Sequence, residues 1–324
     1  MLMGKIIDTG KWMAVVNVFA ASRKAGSIWK NAAVMLEEAG VSYKARFTGG
    51  ALNATALSRK SAAEGYRRFI AVGGDGTIHD VLNGIGEYVA SAEGVSFSDF
   101  TLAVIPVGSG NDWVKSLGIP KDVKGIVELM ARGSFGKQDV VKVSLLDTDG
   151  SVKSTSYMAN IGGVGIDADV CRVVNVHKKL GYRGKILYVI ALLRCLRKRV
   201  PVNVRVLSDG ATLYDGNIFS IAFGIGKYSG GGMRQTSDAV LDDGLLDVTV
   251  IPDIPLGIIA KRAYRLFTDS FTKVKELTVG RGRVVEVWPS DVKPYAEVDG
   301  EVIGQAPVRF EIMSSQLNVL GTVK

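Results

Sequence analysis

The sequence predicts an α/β N-terminal domain built on a parallel sheet, followed by a β-rich C-terminal domain of sandwich type. Three observations carry this. The 324 residues suit two domains at about 100 to 200 residues each. Residues 1–139 alternate short β-branched runs with helical patterns, as a parallel sheet covered by helices does. Across residues 140–312 strand follows strand.

In the first domain, strands are expected at residues 13–18, 43–47, 69–72 and 102–105. Residues 28–38 form a helix that Gly40 ends as a C-cap, and residues 78–85 carry apolar positions at helical spacing. In the second domain, strands are expected at 140–146, 156–161, 202–207, 218–223, 246–251, 284–288 and 308–312, interrupted by helices near 185–199 and 256–271.

Composition narrows the function. Apolar residues at 47% and charged residues at 22% exclude a disordered, collagen-like or coiled-coil chain. Thirty-nine glycines against 8 prolines point to positions of positive φ or close backbone approach to a ligand. Cys171 and Cys195, the only cysteines, are expected as buried small hydrophobes. With no signal-type apolar segment before Asp8 and Lys11, they imply a reducing, cytoplasmic setting. His79 and His177 are the only histidines, which excludes zinc clusters and leaves a Ser-His-Asp triad few ways to form. The longest apolar run, residues 186–193, falls short of the ~20 residues of a spanning helix.

Two glycine-rich segments carry the chemistry. The strand at 69–72 runs into Gly73-Gly74-Asp75-Gly76-Thr77 and then a helical pattern, leaving backbone N–H groups and a positive helix end where phosphate binds. Asp75 would repel phosphate unless a cation bridges them, so it points to Mg²⁺ and a nucleoside triphosphate. The strand at 102–105 leads likewise into Val107-Gly108-Ser109-Gly110-Asn111-Asp112, and in a parallel sheet both segments lie at the carboxyl ends of strands. Each also reads as a tight strand-to-helix turn. Lys115-Ser116 lacks the glycine of a P-loop, and Gly163-Val-Gly165-Ile-Asp-Ala168 reads as a turn in the β-rich half, because no carboxylate for a ribose follows it.

Gly73–Thr77 followed by His79-Asp80-Val81-Leu82-Asn83-Gly84, then Gly108-Ser109-Gly110-Asn111-Asp112, resembles the catalytic domain of the diacylglycerol kinase and sphingosine kinase family. Gly165-Ile-Asp-Ala-Asp-Val170, Asp242-Asp243-Gly244-Leu245-Leu246-Asp247-Val248 and Val298-Asp299-Gly300-Glu301 match in family order over nearly the whole chain. The resemblance implies a phosphofructokinase- or NAD kinase-like first domain, to which residues 313–324 return, a β-sandwich over 140–312, and an ATP site in the cleft between them. It places ATP phosphates against Gly73, Gly74, Asp75, Gly76, Thr77, Gly108, Ser109, Gly110 and Asn111, with the nucleoside end near Thr48. It makes Asp75 and Asp139 joint holders of a Mg²⁺ shell through water. The family's usual Asn-Pro after the first strand is Asn17-Val18 here, which keeps Asn17 as a nucleotide contact. A second, structural cation would be held by Asp243 and the carbonyls of Val240 and Leu245, although Asp-Gly is also an ordinary hairpin turn. Asp299 and Glu301 are candidates, with Asp75, for taking the proton of an acceptor hydroxyl, and alternation would point the pair to one side. His79 is expected to be structural.

The net charge of +8 is concentrated in residues 170–208, which hold ten cations and no acid. The apolar residues 186–193 have Lys178, Lys179, Arg183 and Lys185 before them and Arg194, Arg197, Lys198 and Arg199 after them. This suits a segment in the interface of an anionic membrane, and equally a buried helix with basic ends. Without a recognised motif or interleaved aromatics, nucleic acid is not an expected partner. The reading is thus an ATP- and Mg²⁺-dependent lipid kinase, peripherally membrane-associated, able to form a homo-oligomer, and acting on a diacylglycerol-like or sphingoid lipid. The alternatives are a soluble NAD kinase-type enzyme, which lacks the Gly108–Asp112 segment, and an inactive nucleotide- or lipid-binding protein.

Overall fold

In the computed structural model, which describes residues 10–20, 25–49, 52–108, 110–179 and 185–321, the apolar run Trp12–Val16 forms β1, buried along its whole length. The chain continues through α1 (Ala25–Glu38), β2 (Tyr43–Phe47), α2 (Ala54–Ala63), β3 (Arg68–Gly73), α3 (Asp75–Ser91), β4 (Thr101–Pro106), α4 (Asp112–Leu117), α5 (Val123–Ala131) and β5 (Phe135–Gln138). Strands β2, β1, β3 and β4 pair in parallel in that order. β1, β3 and β4 read as near-continuous apolar runs because helices cover both faces of such a sheet. Sequence reasoning missed α2, whose Ala, Ser and Lys residues lack an apolar stripe. Its signal is the cap, where Asn53 Oδ1 accepts the Ala56 N–H at 2.8 Å. A Cβ at Gly84 of α3 would lie 2.3 Å from the Thr55 carbonyl oxygen, so glycine there lets α2 and α3 approach.

A second unit spans residues 141–312, while residues 1–140 and 313–324 make the first. Its elements are β6 (Val141–Leu146), β7 (Val152–Met158), β8 (Ile161–Gly165), α6 (Ile166–Lys179), α7 (Lys185–Arg197), β9 (Val202–Ser208), β10 (Ala211–Gly224), β11 (Leu246–Pro252), α8 (Leu256–Arg262), β12 (Thr278–Gly282), β13 (Val284–Pro289), β14 (Tyr295–Val298), β15 (Glu301–Gln305) and β16 (Val308–Ile312). The pairing is antiparallel, in the order β15-β14-β8-β10-β9-β13-β16-β6-β7, with β11 and β12 branching from β10. Phe223 of β10 stacks on Phe310 of β16 at 4.1 Å although these strands are not neighbours in the sheet. The strands therefore curl over one apolar core that includes Val164, Val206, Ile221 and Val285, as in a sandwich. The last strand, β17 (Leu317–Leu320), belongs to the first unit, parallel to β4 and antiparallel to β5.

Three expectations are corrected. The strand expected at 156–161 is two, β7 and β8, because the Asp299 carboxylate takes the N–H groups of Ala159 (2.9 Å) and Asn160 (3.0 Å) out of the ladder. The segment read as a turn at Gly163–Ala168 is the junction of β8 with α6, and a Cβ on Gly165 would lie 2.9 Å from the Phe219 carbonyl oxygen. The helix expected at 256–271 ends at Arg262 and tightens into a 3₁₀ turn over Ala263–Phe267.

Candidate functional site

At the carboxyl end of β3, Gly73 closes the strand and Gly74 caps α3, so Asp75, Gly76 and Thr77 form a helix's first turn rather than a loop. The Gly74 carbonyl accepts the Thr77 N–H at 2.8 Å, and the N–H groups before it belong to the unpaired start of a helix, which favours an anion. Thr77 Oγ1 accepts from Asn17 Nδ2 at 3.0 Å. Asn17 Oδ1 takes the Phe19 N–H at 3.1 Å and the Thr48 hydroxyl at 3.4 Å. Asn17, Thr48 and Thr77 thus lash together the ends of β1, β2 and β3.

The β4 junction converges on the same carboxylate. Trp113 N donates to Asp75 Oδ1 at 3.3 Å, and a Cβ on Gly110 would sit 3.1 Å from Asp75 Oδ2. Asn111 caps α4 in a left-handed conformation, φ +50, and its Nδ2 donates to the Gly108 carbonyl at 3.1 Å. Its Oδ1 is buried with no partner among the described residues. Asp112 is buried and paired with Lys115 Nζ at 2.7 Å. The Trp113 indole donates to Gln138 Oε1 at 2.8 Å, and the next residue, the buried Asp139, accepts from Gln316 Nε2 at 2.9 Å. Trp113 therefore connects Asp75 with the segment that bears Asp139. Ser109 lies outside the described residues.

In the second unit Asp299 and Gly300, with φ +52 and +87, make the two-residue turn between β14 and β15. The expected alternation within one extended segment is corrected, since Asp299 is in the turn and Glu301 begins the next strand. Both Asp299 oxygens are engaged by Ala159 and Asn160. Glu301 is exposed, with Asn175 Nδ2 at 3.2 Å from Oε2. Behind the turn, the buried Glu297 accepts the Gly300 N–H at 2.7 Å. Burial first, then nearby Asp167, Asp299 and Glu301, hold its carboxyl well above the usual carboxylate range. Burial likewise raises Asp167, against hydrogen bonds from Gln235 and Ser220.

In the Asp242–Gly244 segment the later aspartate is paired with an arginine. Asp243 holds Arg281 Nη2 at 2.5 Å, and Arg281 Nε reaches the buried Asp247 at 3.0 Å. The Asp243 carboxylate, expected to ligate a metal with the Val240 and Leu245 carbonyls, thus meets a guanidinium at Oδ2 and accepts the Leu245 N–H at Oδ1 (3.1 Å). No group of three acidic, His or Cys side chains among the described residues gathers to hold an ion.

Residues 11–143 match the family model of the diacylglycerol kinase catalytic domain, and residues 160–321, half the chain, match that of the YegS C-terminal NAD kinase beta sandwich-like domain. The chain belongs to the diacylglycerol kinase-like family of lipid kinases. A Stenotrophomonas maltophilia protein named "Probable lipid kinase YegS-like" is 27% identical to this kinase, covering 97% of its chain and 96% of the relative. A "Diacylglycerol kinase" of Staphylococcus carnosus is 26% identical over 88% of this chain and 87% of its own. A crystal structure described as a diacylglycerol kinase of Bacillus anthracis superposes with a TM-score of 0.73 at 21% identity, covering 97% of both chains, a likeness of fold.

Sequence reasoning about the kinase missed Asn160, Asn175, Glu297 and Asp167, which surround the Asp299 turn. Only Asp167 carried a signal, lying within the Gly165–Val170 block. Cys171 and Cys195 are half-buried rather than buried. His79 is buried in α3 beside Asn83, consistent with a packing role. Among the described residues no helix is long and apolar enough to cross a membrane.

Proposed function

We propose that this lipid kinase moves the γ-phosphoryl group of ATP to a hydroxyl of a diacylglycerol-like or sphingoid lipid, with Mg²⁺ as cofactor. The observation that carries the reading is the convergence of two strand-to-helix junctions on Asp75. The residues fit the nucleotide. Gly74 and Gly108 leave open backbone, where an added Cβ would meet nothing closer than 3.6 Å, and Asn111 Oδ1 is a buried acceptor with no partner among the described residues. Bound with ATP, Mg²⁺ would supply neutralisation of phosphate charge, and Asp75 and Asp139 are the carboxylates of this unit that would hold its water shell. The first turn of α3 cradles phosphate oxygens with backbone N–H groups.

The acceptor hydroxyl must lose its proton as the new P–O bond forms. Glu301 takes it, because its carboxylate is exposed at the start of β15, whereas the Asp299 carboxylate accepts the Ala159 and Asn160 N–H groups and serves to fix the turn. The test is incubation with labelled ATP and total lipid extract, with mass identification of the product. A labelled lipid in wild type and none with Asp75→Asn is expected. A labelled nucleotide in place of a lipid would overturn the substrate class.

A further inference from the structure

Residues 254–268 contain no acid and three cations, Lys261, Arg262 and Arg265. Neither α8 nor the 3₁₀ turn after it buries a single residue fully. Tyr264 and Phe267 are each 63% exposed, and Leu256 and Ile258 also face outward. On α7, Ile190 and Leu193 are 57% and 61% exposed, followed by exposed Arg194, Arg197 and Lys198. The two elements are neighbours. Cys195 and Leu196 of α7 pack with Ile259 and Leu266 on one small cluster around Phe219 and Phe271. Arg199 Nη2 also reaches Asp253 at 2.8 Å, tying the end of α7 to the approach of α8. This cluster holds only the inner sides of the two elements, and large apolar side chains remain in water, which marks a contact surface.

We propose that α7 and the α8–3₁₀ segment form a two-armed docking surface for an anionic bilayer. Tyr264, Phe267, Ile190 and Leu193 enter the interface, and Arg194, Arg197, Lys198, Lys261 and Arg265 meet lipid phosphates. Charge complementarity selects this occupant. A second copy of the chain would bring two faces with an excess of cations together, and a nucleic acid would leave the exposed Ile190, Leu193, Leu256 and Ile258 without a partner. Tyr264 suits the headgroup level, with an apolar ring and a polar tip to which Arg265 Nε donates at 3.3 Å. Arg199 is excluded from the lipid-facing set, since Asp253 takes its charge. Arg183 lies outside the described residues, as do the side chains of Lys178, Lys179 and Lys185. The proposal rests on the lipid kinase reading, because a bilayer is where such a substrate resides.

The experiment compares full-length wild type with Tyr264→Ser/Phe267→Ser and with Arg194→Gln/Arg197→Gln/Lys198→Gln. Each is co-sedimented with phosphatidylglycerol and with phosphatidylcholine vesicles at low and 0.5 M salt, and assayed on a monomeric short-chain diacylglycerol. Wild type is expected to prefer anionic vesicles and to lose binding with salt. The aromatic pair should weaken binding about tenfold or more, and each lost cation about fivefold. Melting temperature and short-chain turnover should stay within twofold or a few degrees of wild type. Wild-type binding by both variants, equal binding to both lipids, or a wild-type dimer that the aromatic pair converts to monomer would each overturn the docking surface. Intact vesicle binding with no turnover of any lipid hydroxyl would instead refute the kinase reading and leave the docking surface standing.

Discussion

A methyl group added at Gly73 would lie 2.1 Å from Thr77 Oγ1, whereas at Gly74 it meets only the Val107 carbonyl oxygen at 3.6 Å. The two glycines therefore do different things. Gly73→Ala is expected to lower Tm by roughly 5 °C or more, because Thr77 is already committed to Asn17. Gly74→Ala should melt like wild type yet raise the KM for ATP several-fold, since the methyl stands where phosphate approaches backbone. Thermal melts beside ATP titrations separate them. The two carboxylates of the β14–β15 turn also divide. Asp299→Asn places an amide donor against one of two backbone N–H groups and should cost about 1–3 kcal/mol in urea unfolding as well as activity. Glu301→Gln, on an exposed side chain, should unfold like wild type and depress kcat about a hundredfold with ATP affinity unchanged. Equal stability loss in both would remove this division of roles.

At the scale of elements, β11 and β12 are joined by more than their ladder. Arg281 lies opposite Asp247 in register and also reaches Asp243 beyond the strand end. Removal of divalent metal with EDTA is expected to leave the Tm of the nucleotide-free protein unchanged, because Arg281 already pairs with both Asp243 and Asp247. Arg281→Met should lower stability by about 1–3 kcal/mol by stranding the buried Asp247. A wild-type Tm that rises with Mg²⁺ in the absence of nucleotide, and not in Asp243→Asn, would restore the second cation. The β14 hairpin has its own pH signature. Glu297, raised above its ordinary 4.5, holds its proton more tightly folded than unfolded, so its contribution is full in acid and is lost as pH climbs toward the raised value. Glu297→Gln keeps an acceptor for the Gly300 N–H. The stability of wild type relative to this variant should therefore fall from about pH 4.5 upward, read as Tm against pH.

Across the whole molecule, the last strand is as important as the first. β17 inserts between β4 and β5 with Leu317, Val319 and Leu320 fully buried. Val319→Asp is expected to cost about 4 kcal/mol or more, as an unpaired charge in a sheet interior does, although it lies near the chain end. Urea unfolding or soluble yield checks this, and a wild-type transition would mean that β17 is dispensable to the sheet.

The sequence by itself determined the parallel sheet, because β1, β3 and β4 are near-continuous apolar runs and each is followed by glycine or turn residues within a few positions. It also determined the two junctions, because Gly73-Gly74-Asp75 and Gly108-to-Asp112 are contiguous words that a strand end and a helix start require. Only the tertiary structure decided the rest. The break between β7 and β8 is made by a carboxylate 140 residues away. Asp243 is paired with an arginine 38 residues on. α2 is helical without an apolar stripe because Gly84 of another helix lets it approach, and Glu297 is an ordinary strand acid until the fold buries it beside Asp167. Periodicity and propensity act over a turn or a strand, whereas charge neutralisation, burial and backbone hydrogen bonds to a distant side chain exist only once remote segments meet.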